Sequence, residues 1–104
     1  MKEKAIELIN QAFEKRKIIV NKIIVYGSRA RGDYREDSDW DFLVVIDKEI
    51  EHREKREIAS EIRKNFVYSG MPADIIIISE KVYHERLNDV GHIVYYAVKE
   101  GIAV

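Results

Sequence analysis

Two polar stretches, residues 27–32 (GSRARG) and 38–41 (SDWD), decide how this chain is organised. The apolar run 23–26 (IIVY) leads into the first stretch, and the apolar run 42–46 (FLVVI) leads out of the second. Short apolar runs rich in branched residues are typical of buried strands. The sequence therefore predicts two strands that bring a glycine-serine turn and a pair of carboxylates to one place.

The two carboxylates of the second stretch have the spacing of a cation site. Successive side chains of a strand alternate between its faces, so Asp39 and Asp41 point to one side and Trp40 to the other. The carboxylates are roughly 6 to 7 Å apart along the strand, and their repulsion raises the pKa of each unless a divalent cation binds them. Asp39 and Asp41 are candidate metal ligands, although an Asp-x-Asp pair alone is also typical of a solvated loop.

The glycine-serine turn has the residues of a phosphate site. Gly27 permits backbone N–H groups to approach an anion, and Ser28 adds a hydroxyl group. Arg29 and Arg31 add fixed positive charge. Magnesium commonly joins one or two carboxylates to substrate phosphates. The sequence therefore predicts a phosphate site beside a magnesium site.

The composition predicts one globular domain over residues 1–104, with 46% apolar and 36% charged residues. The net charge is −1, so a nucleic-acid partner is not expected. There is no cysteine, which excludes disulfides and thiolate metal sites and is compatible with a reducing compartment. No long apolar stretch interrupts the charged pattern, so we expect neither a signal peptide nor a membrane span, and a cytoplasmic location.

Apolar periodicity predicts helices over residues 2–16 and 50–67, a third strand over 75–78, and further helices over 80–87 and 89–99. A helix between the second and third strands makes those strands a parallel pair, whereas the first two strands are antiparallel. The predicted fold is an α/β domain with a small mixed β-sheet flanked by helices. Asp74, at the start of the third strand, then lies at the same sheet edge as Asp39, although a residue soon after a proline is also typical of a turn.

The histidines and the C-terminal segment have simpler interpretations. His52 lies among charged residues at a helix start and is expected on the surface, whereas His84 and His92 are expected to have structural roles. Residues 94–104 include an apolar stretch that a chain of this size does not fully bury. A partner or a second copy is expected to cover it, as a homo- or hetero-oligomer.

The pattern Gly27-Ser28, ten residues, then Asp39-x-Asp41 resembles the signature of the DNA polymerase beta-like nucleotidyltransferase superfamily. Within it, the chain is most similar to the short stand-alone MNT-type (minimal nucleotidyltransferase) proteins. The resemblance implies that the glycine-serine pair holds the nucleoside triphosphate and that the two aspartates bind magnesium. It also implies a third metal-binding carboxylate on a later strand, and Asp74 is the matching position.

The resemblance implies an enzyme that uses ATP and two magnesium ions, or manganese in their place. MNT-type proteins are often encoded beside a HEPN-domain protein and act as its antitoxin, in some cases by transferring AMP to it. We therefore expect a HEPN-type protein acceptor with a tyrosine, serine or threonine hydroxyl. Two other functions stay open at this point, a non-catalytic module that neutralises a partner by docking and a structural phosphate-binding domain.

Overall fold

A small mixed sheet forms the centre of the chain, with helices on both of its faces. The computed structural model describes residues 2–104, with side chains from residue 3 onward. The elements in chain order are α1 (Lys2–Glu14), β1 (Val20–Tyr26), α2 (Ser28–Arg31), β2 (Trp40–Ile46), α3 (His52–Tyr68), β3 (Ala73–Ser79), α4 (Glu80–Arg86), α5 (Ile93–Glu100) and β4 (Ile102–Ala103). None of the helices in this described part has the length and apolar content needed to cross a membrane.

The strands lie in the order β3-β2-β1-β4. β1 and β2 are antiparallel, whereas β2 and β3 are parallel because α3 crosses over between them. β2 is an interior strand of this sheet, as its apolar residues on both faces predict. The predicted α/β fold with a small mixed sheet and flanking helices is confirmed.

Each face of the sheet has its own apolar cluster. Residues of α1 and α3 cover one face, where Phe13, Phe42 and Phe66 are fully buried. Residues of α4 and α5 cover the other face, where Leu43 and Val94 are fully buried. The neighbours Phe42 and Leu43 belong to different clusters because successive side chains of a strand point to opposite faces.

Several predicted boundaries differ from the structure by one or two residues, and two are wrong by three or more. β1 begins at Val20 rather than at residue 23, because Val20 and Lys22 pair with the far end of β2 even though this part of β1 is more exposed. Residues 89–92 lie outside α5 and form a turn in which the N–H of His92 donates to the Asp89 carbonyl at 2.9 Å. The Nδ1 atom of His92 then accepts the Val94 N–H at 3.1 Å and caps α5, which is a structural role.

The end of the chain forms a strand that the apolar pattern did not predict. Gly101 ends α5 in an extended conformation, and Ile102 and Ala103 then pair antiparallel with β1. The Val104 N–H donates to the Ile23 carbonyl at 2.9 Å and extends this contact. Two residues are too few to show a strand period, so only their position beside β1 makes them a strand.

Gly101 is expected to be a packing-critical position. A Cβ at this residue would lie 2.5 Å from the Ile24 Cγ2 atom and 2.9 Å from the Val25 carbonyl oxygen. Gly101→Ala should therefore lower the free energy of unfolding by about 1 to 3 kcal/mol, measured by urea denaturation. Gly91→Ala is the control, because its Cβ would meet only the Asp89 Oδ1 atom, at 3.7 Å. Equal stability of the two variants would contradict this account of the α5 to β4 junction.

Candidate active site

Gly27 joins β1 to α2 in a backbone conformation that other residues rarely adopt. Its φ is +75° and its ψ is −157°, a region that is essentially restricted to glycine. A Cβ at position 27 would collide with the Oδ2 atom of Asp41 and lie 3.3 Å from its Cγ atom. Glycine is therefore required here both by the turn and by the close approach of the Asp41 carboxylate.

The carboxylates predicted from the sequence lie at one edge of the sheet. Asp41 and Asp74 are register partners in the parallel β2–β3 pair, and neighbouring strands lie about 4.8 Å apart. Asp39 immediately precedes β2 and is exposed like Asp74, whereas Asp41 is half-buried. The parallel pairing therefore brings Asp74 from a distant part of the sequence to the two aspartates of residues 38–41.

The pKa of Asp41 is raised above its usual range. Burial is the largest cause, and the negative charges of Asp74 and Asp39 raise it further. The positive charge of Arg31 lowers the pKa of Asp41, whereas the negative charge of Glu100 raises it. The ionised form of Asp41 is therefore held in an unfavourable environment, which a bound cation would relieve.

Tyr26 is a member of this site that the sequence reasoning did not single out. It is the partner of Asp41 in the antiparallel β1–β2 pair and is buried. Burial raises the pKa of Tyr26 to about 12, and the charges of Asp41 and Asp74 add to this increase. Its phenol is therefore neutral at physiological pH. The signal available in the sequence was its position at the end of a strand, directly before Gly27.

The carboxylates suit a hard cation but do not form a complete cage. Within residues 2–104, no group of three or more His, Cys, Asp or Glu side chains is arranged to hold a metal ion. The Asp74 Oδ1 atom lies 3.9 Å from the Arg63 Nη1 atom, as an exposed ion pair. Magnesium accepts one or two carboxylates when substrate phosphates supply further oxygens. The carboxylates of Asp39, Asp41 and Asp74 fit a site in which magnesium is bound by carboxylate oxygens and by substrate phosphates together.

Arg29 holds the loop that leads to Asp39. Its guanidinium donates hydrogen bonds to the Ser38 carbonyl at 3.0 and 3.3 Å and to the Glu36 carbonyl at 2.9 Å. It also lies over the rings of Tyr34 and Trp40, at 4.2 and 4.9 Å from their centroids. These contacts give Arg29 a role in ordering the loop, and its contact with a nucleotide stays a prediction.

Arg31 and Gly27 both contact Glu100, the last residue of α5. The Gly27 N–H donates to the Glu100 Oε1 atom at 3.2 Å. Arg31 Nη1 donates to the two carboxylate oxygens of Glu100 at 3.3 and 3.2 Å, and Arg31 Nε donates to Asp33 at 3.2 Å. Two of the predicted phosphate-binding groups therefore bind a carboxylate from the other end of the chain. The sequence offered no signal for Glu100, which lies beside Lys99 in an otherwise uncharged segment, 73 positions from Gly27.

Ser28 begins the short helix α2 beside these groups. The carbonyl of Gly27 accepts the N–H groups of Ala30 and Arg31 at 3.1 and 3.0 Å, which closes the first turn. Ser28 is half-buried, and its hydroxyl has no hydrogen-bond partner in the described part of the chain. The hydroxyl is therefore available to bond a ligand.

Comparison with known families and proteins agrees with this geometry. The model of the family described as "Polymerase beta, Nucleotidyltransferase" matches residues 7–100. A protein of Methanocaldococcus jannaschii named "Putative protein adenylyltransferase MJ0604" is 34% identical over 87 residues, which cover 83% of this chain and 82% of the relative. Both matches are long enough that they must include the glycine-serine turn and the three aspartates.

Two solved structures share the fold. A crystal structure described as a toxin-antitoxin with AMP-PNP has a TM-score of 0.62 and 18% identity, covering 97% of this chain and 69% of that chain. A crystal structure of a mutant toxin-antitoxin MntA-HpeT also has a TM-score of 0.62 and 18% identity, covering 100% of this chain and 71% of that chain. At this level of identity the likeness concerns the fold.

The resemblance inferred from the residue pattern is thus confirmed, and the findings are consistent with the MNT-type minimal form. The family match spans the sheet, the turn at Gly27 and the carboxylate edge, and so includes the whole candidate site. The chain belongs to the polymerase beta nucleotidyltransferase family and is a nucleotidyltransferase.

Proposed function

We propose that this chain transfers AMP from ATP to a hydroxyl group on a partner protein in a magnesium-dependent reaction. We further propose that the partner is a HEPN-domain toxin, for which this chain is the antitoxin. The observation that carries the proposal is the position of Asp41 and Asp74, paired across adjacent strands, beside the anion-binding groups of Gly27 and Arg31. A polyphosphate and the cation that accompanies it need both sets of groups at one place.

The phosphates of ATP are assigned to Gly27, Ser28 and Arg31. This assignment is supported by the contacts of the Gly27 N–H and the Arg31 guanidinium, which both bind the Glu100 carboxylate. The free Ser28 hydroxyl adds a third donor next to them. Arginine suits this role because its planar fork of donors matches the oxygens of a phosphate group.

The carboxylates Asp39, Asp41 and Asp74 are assigned to magnesium, as two ions, with manganese as a substitute. When bound, magnesium would lower the pKa of the acceptor hydroxyl and offset the charge of the leaving pyrophosphate. The acceptor oxygen forms a bond to the α-phosphorus of ATP while the bond from that phosphorus to the β-phosphate oxygen breaks. Pyrophosphate leaves, and the hydroxyl proton passes to solvent. Tyr26 is not assigned as a base, because its pKa of about 12 keeps the phenol protonated.

The choice of AMP and of a protein acceptor rests on the relatives. One is named as a protein adenylyltransferase, and the structural neighbours are toxin-antitoxin complexes, one of them with AMP-PNP. This chain offers a surface on which a partner could bind, because part of its apolar C-terminal segment is exposed. Tyr96 is 48% exposed, Val98 41% and Ile102 50%. Val94 and Ala97 are buried, so the exposed residues form the outer side of α5 and β4.

The first test of this proposal is nucleotide binding that depends on magnesium. ATP at about 100 times its Kd should stabilise the folded chain by about 2.7 kcal/mol, seen as a rise in Tm. Without a divalent ion the rise should be largely lost, because the phosphates and the carboxylates repel each other. Equal Tm shifts by ATP with and without magnesium would argue against the proposed site.

The second test concerns stability and pH in the absence of ligand. Asp41→Asn should be more stable than wild type at pH 7, because the folded chain raises the pKa of Asp41 and so disfavours its ionised form. The difference should disappear as the pH falls below about 4, where the carboxyl group is protonated in the unfolded chain as well. Urea denaturation from pH 3 to pH 8 measures this difference.

The control for this series is Glu57→Gln, which removes one negative charge on the exposed outer side of α3. Its stability difference from wild type should not follow the same pH dependence. If Asp41→Asn were instead less stable than wild type at pH 7, the Asp41 carboxylate would be a structural partner rather than part of a repelling cluster.

The third test is transfer to a partner. Co-expression with a HEPN-type toxin as the proposed partner, followed by intact-mass spectrometry, should reveal added AMP on that protein. The single variants Asp39→Asn and Asp41→Asn should lower the transfer at least 100-fold by removing groups assigned to the cation, and Ser28→Ala should lower it less. Stable co-purification without added AMP, in the presence of magnesium and ATP, would favour the non-catalytic docking module instead.

A further inference from the structure

Among the residues that the structure describes, Glu100 is the one negative side chain that contacts both Gly27 and Arg31, two of the three residues assigned to the triphosphate. Its carboxylate accepts the Gly27 N–H at 3.2 Å and bonds Arg31 through both oxygens at 3.2 and 3.3 Å. These distances are longer than the roughly 2.7 to 2.9 Å of strong charge-assisted hydrogen bonds, so the contacts are weak ones that a better anionic ligand can replace. The carboxylate of Glu100 thus has the chemistry and the position of an anionic ligand, although it belongs to the chain itself.

The backbone around Glu100 holds this carboxylate in place. Glu100 is the last residue of α5, and the next residue, Gly101, is packed so closely against Ile24 and Val25 that it has no room for a Cβ. Beyond it, Ile102 pairs with Val25 in β1, the strand that leads to Gly27. The packing of Gly101 and the pairing of Ile102 with β1 therefore hold Glu100 near Gly27.

We infer that Glu100 is a specificity-determining residue that occupies the phosphate position and must be displaced when a nucleoside triphosphate binds. This inference rests on the proposed function, because it concerns the same site. A carboxylate carries one negative charge, whereas the triphosphate carries several and brings a cation with it. The exchange therefore favours a highly charged polyphosphate over a nucleoside or a weakly charged anion.

The exchange also connects the nucleotide to the C-terminal segment. When Glu100 leaves Gly27 and Arg31, the end of α5 loses two contacts with the site, while β4 keeps its pairing with β1. The exposed residues Tyr96 and Ile102 lie on this segment. A protein bound to Tyr96 and Ile102 would therefore lie close in sequence to Glu100, the residue that the phosphates displace.

The test compares ATP binding to wild type and to Glu100→Gln by calorimetry in the presence of magnesium. The amide of glutamine can still accept the Gly27 N–H, so the turn is retained, but it no longer competes as an anion. ATP should bind to Glu100→Gln about fivefold to tenfold more tightly, as expected for removal of one like charge near the phosphates in a solvated site. The affinity for adenosine, which has no phosphate, should not change.

Two control variants separate this effect from a general change in charge. Glu57→Gln removes a negative charge on the exposed side of α3, from a residue with no contact to Gly27 or Arg31, and should leave the affinity for ATP unchanged. Asp33→Asn removes the other carboxylate that contacts Arg31, without any contact to the Gly27 N–H. It should increase the affinity for ATP by less than Glu100→Gln does.

A second measurement observes the exchange directly, through the amide resonance of Gly27 in a nitrogen-edited NMR spectrum. This resonance should move when ATP and magnesium are added to wild type, because the N–H changes its acceptor from Glu100 to a phosphate. It should move when inorganic pyrophosphate is added as well. The free Glu100→Gln variant should differ from free wild type mainly at Gly27 and at neighbours of Arg31.

The outcomes of these experiments distinguish the inference from the proposed function. If ATP binds equally to wild type and Glu100→Gln, or more weakly to the variant, Glu100 positions the turn and does not compete with phosphate. That result would overturn the inference and leave the proposed function standing. If neither protein binds ATP while circular dichroism confirms that both are folded, the proposed function itself fails, and the inference with it.

Discussion

The contact between the Cα of Gly27 and the carboxylate of Asp41 is the constraint on which the site depends. The end of β1 lies beside the start of β2, and there is no space at position 27 for a side chain between the turn and the Asp41 carboxylate. Asp41 is also the register partner of Asp74. The position of Asp41 therefore relates the turn at Gly27 to the carboxylate of Asp74. A single glycine therefore aligns the phosphate side and the carboxylate side of the site.

The sheet supplies the rigidity that this alignment needs. Residues 42–46 of β2 are buried on both faces, between the cluster that includes Phe42 and the cluster that includes Leu43. The packing fixes the backbone at the start of this strand, so Asp41 and its strand partner Asp74 are not separated by movement of the strands. This explains why burial and like charge act together on the pKa of Asp41. The unfavourable charge is kept in place by apolar packing a few residues away.

The two arginines of residues 27–32 illustrate how neighbours in sequence acquire different tasks. Arg29 lies over the rings of Tyr34 and Trp40 and donates hydrogen bonds to carbonyl groups of the loop before Asp39. Arg31 lies one helical turn away from the Gly27 amide and binds the Glu100 carboxylate. Both carry the same fixed charge, so charge alone does not distinguish them. The two arginines differ in the direction in which their side chains leave the short helix α2, and this direction decides what each one contacts.

The sequence by itself determined the strands on either side of residues 27–41, the parallel pairing that follows from a helical crossover, and the position of Asp39, Asp41 and Asp74 at one edge. These features depend on local apolar pattern and on chain connectivity, which can be read along the chain. Only the tertiary structure decided the roles of Tyr26, Glu100 and the two-residue strand β4. Tyr26 matters because burial and cross-strand charges act on its phenol, and β4 is a strand only because it lies beside β1. Glu100 reaches Gly27 from 73 residues away, and a contact over that separation leaves no periodic or local signal in the sequence.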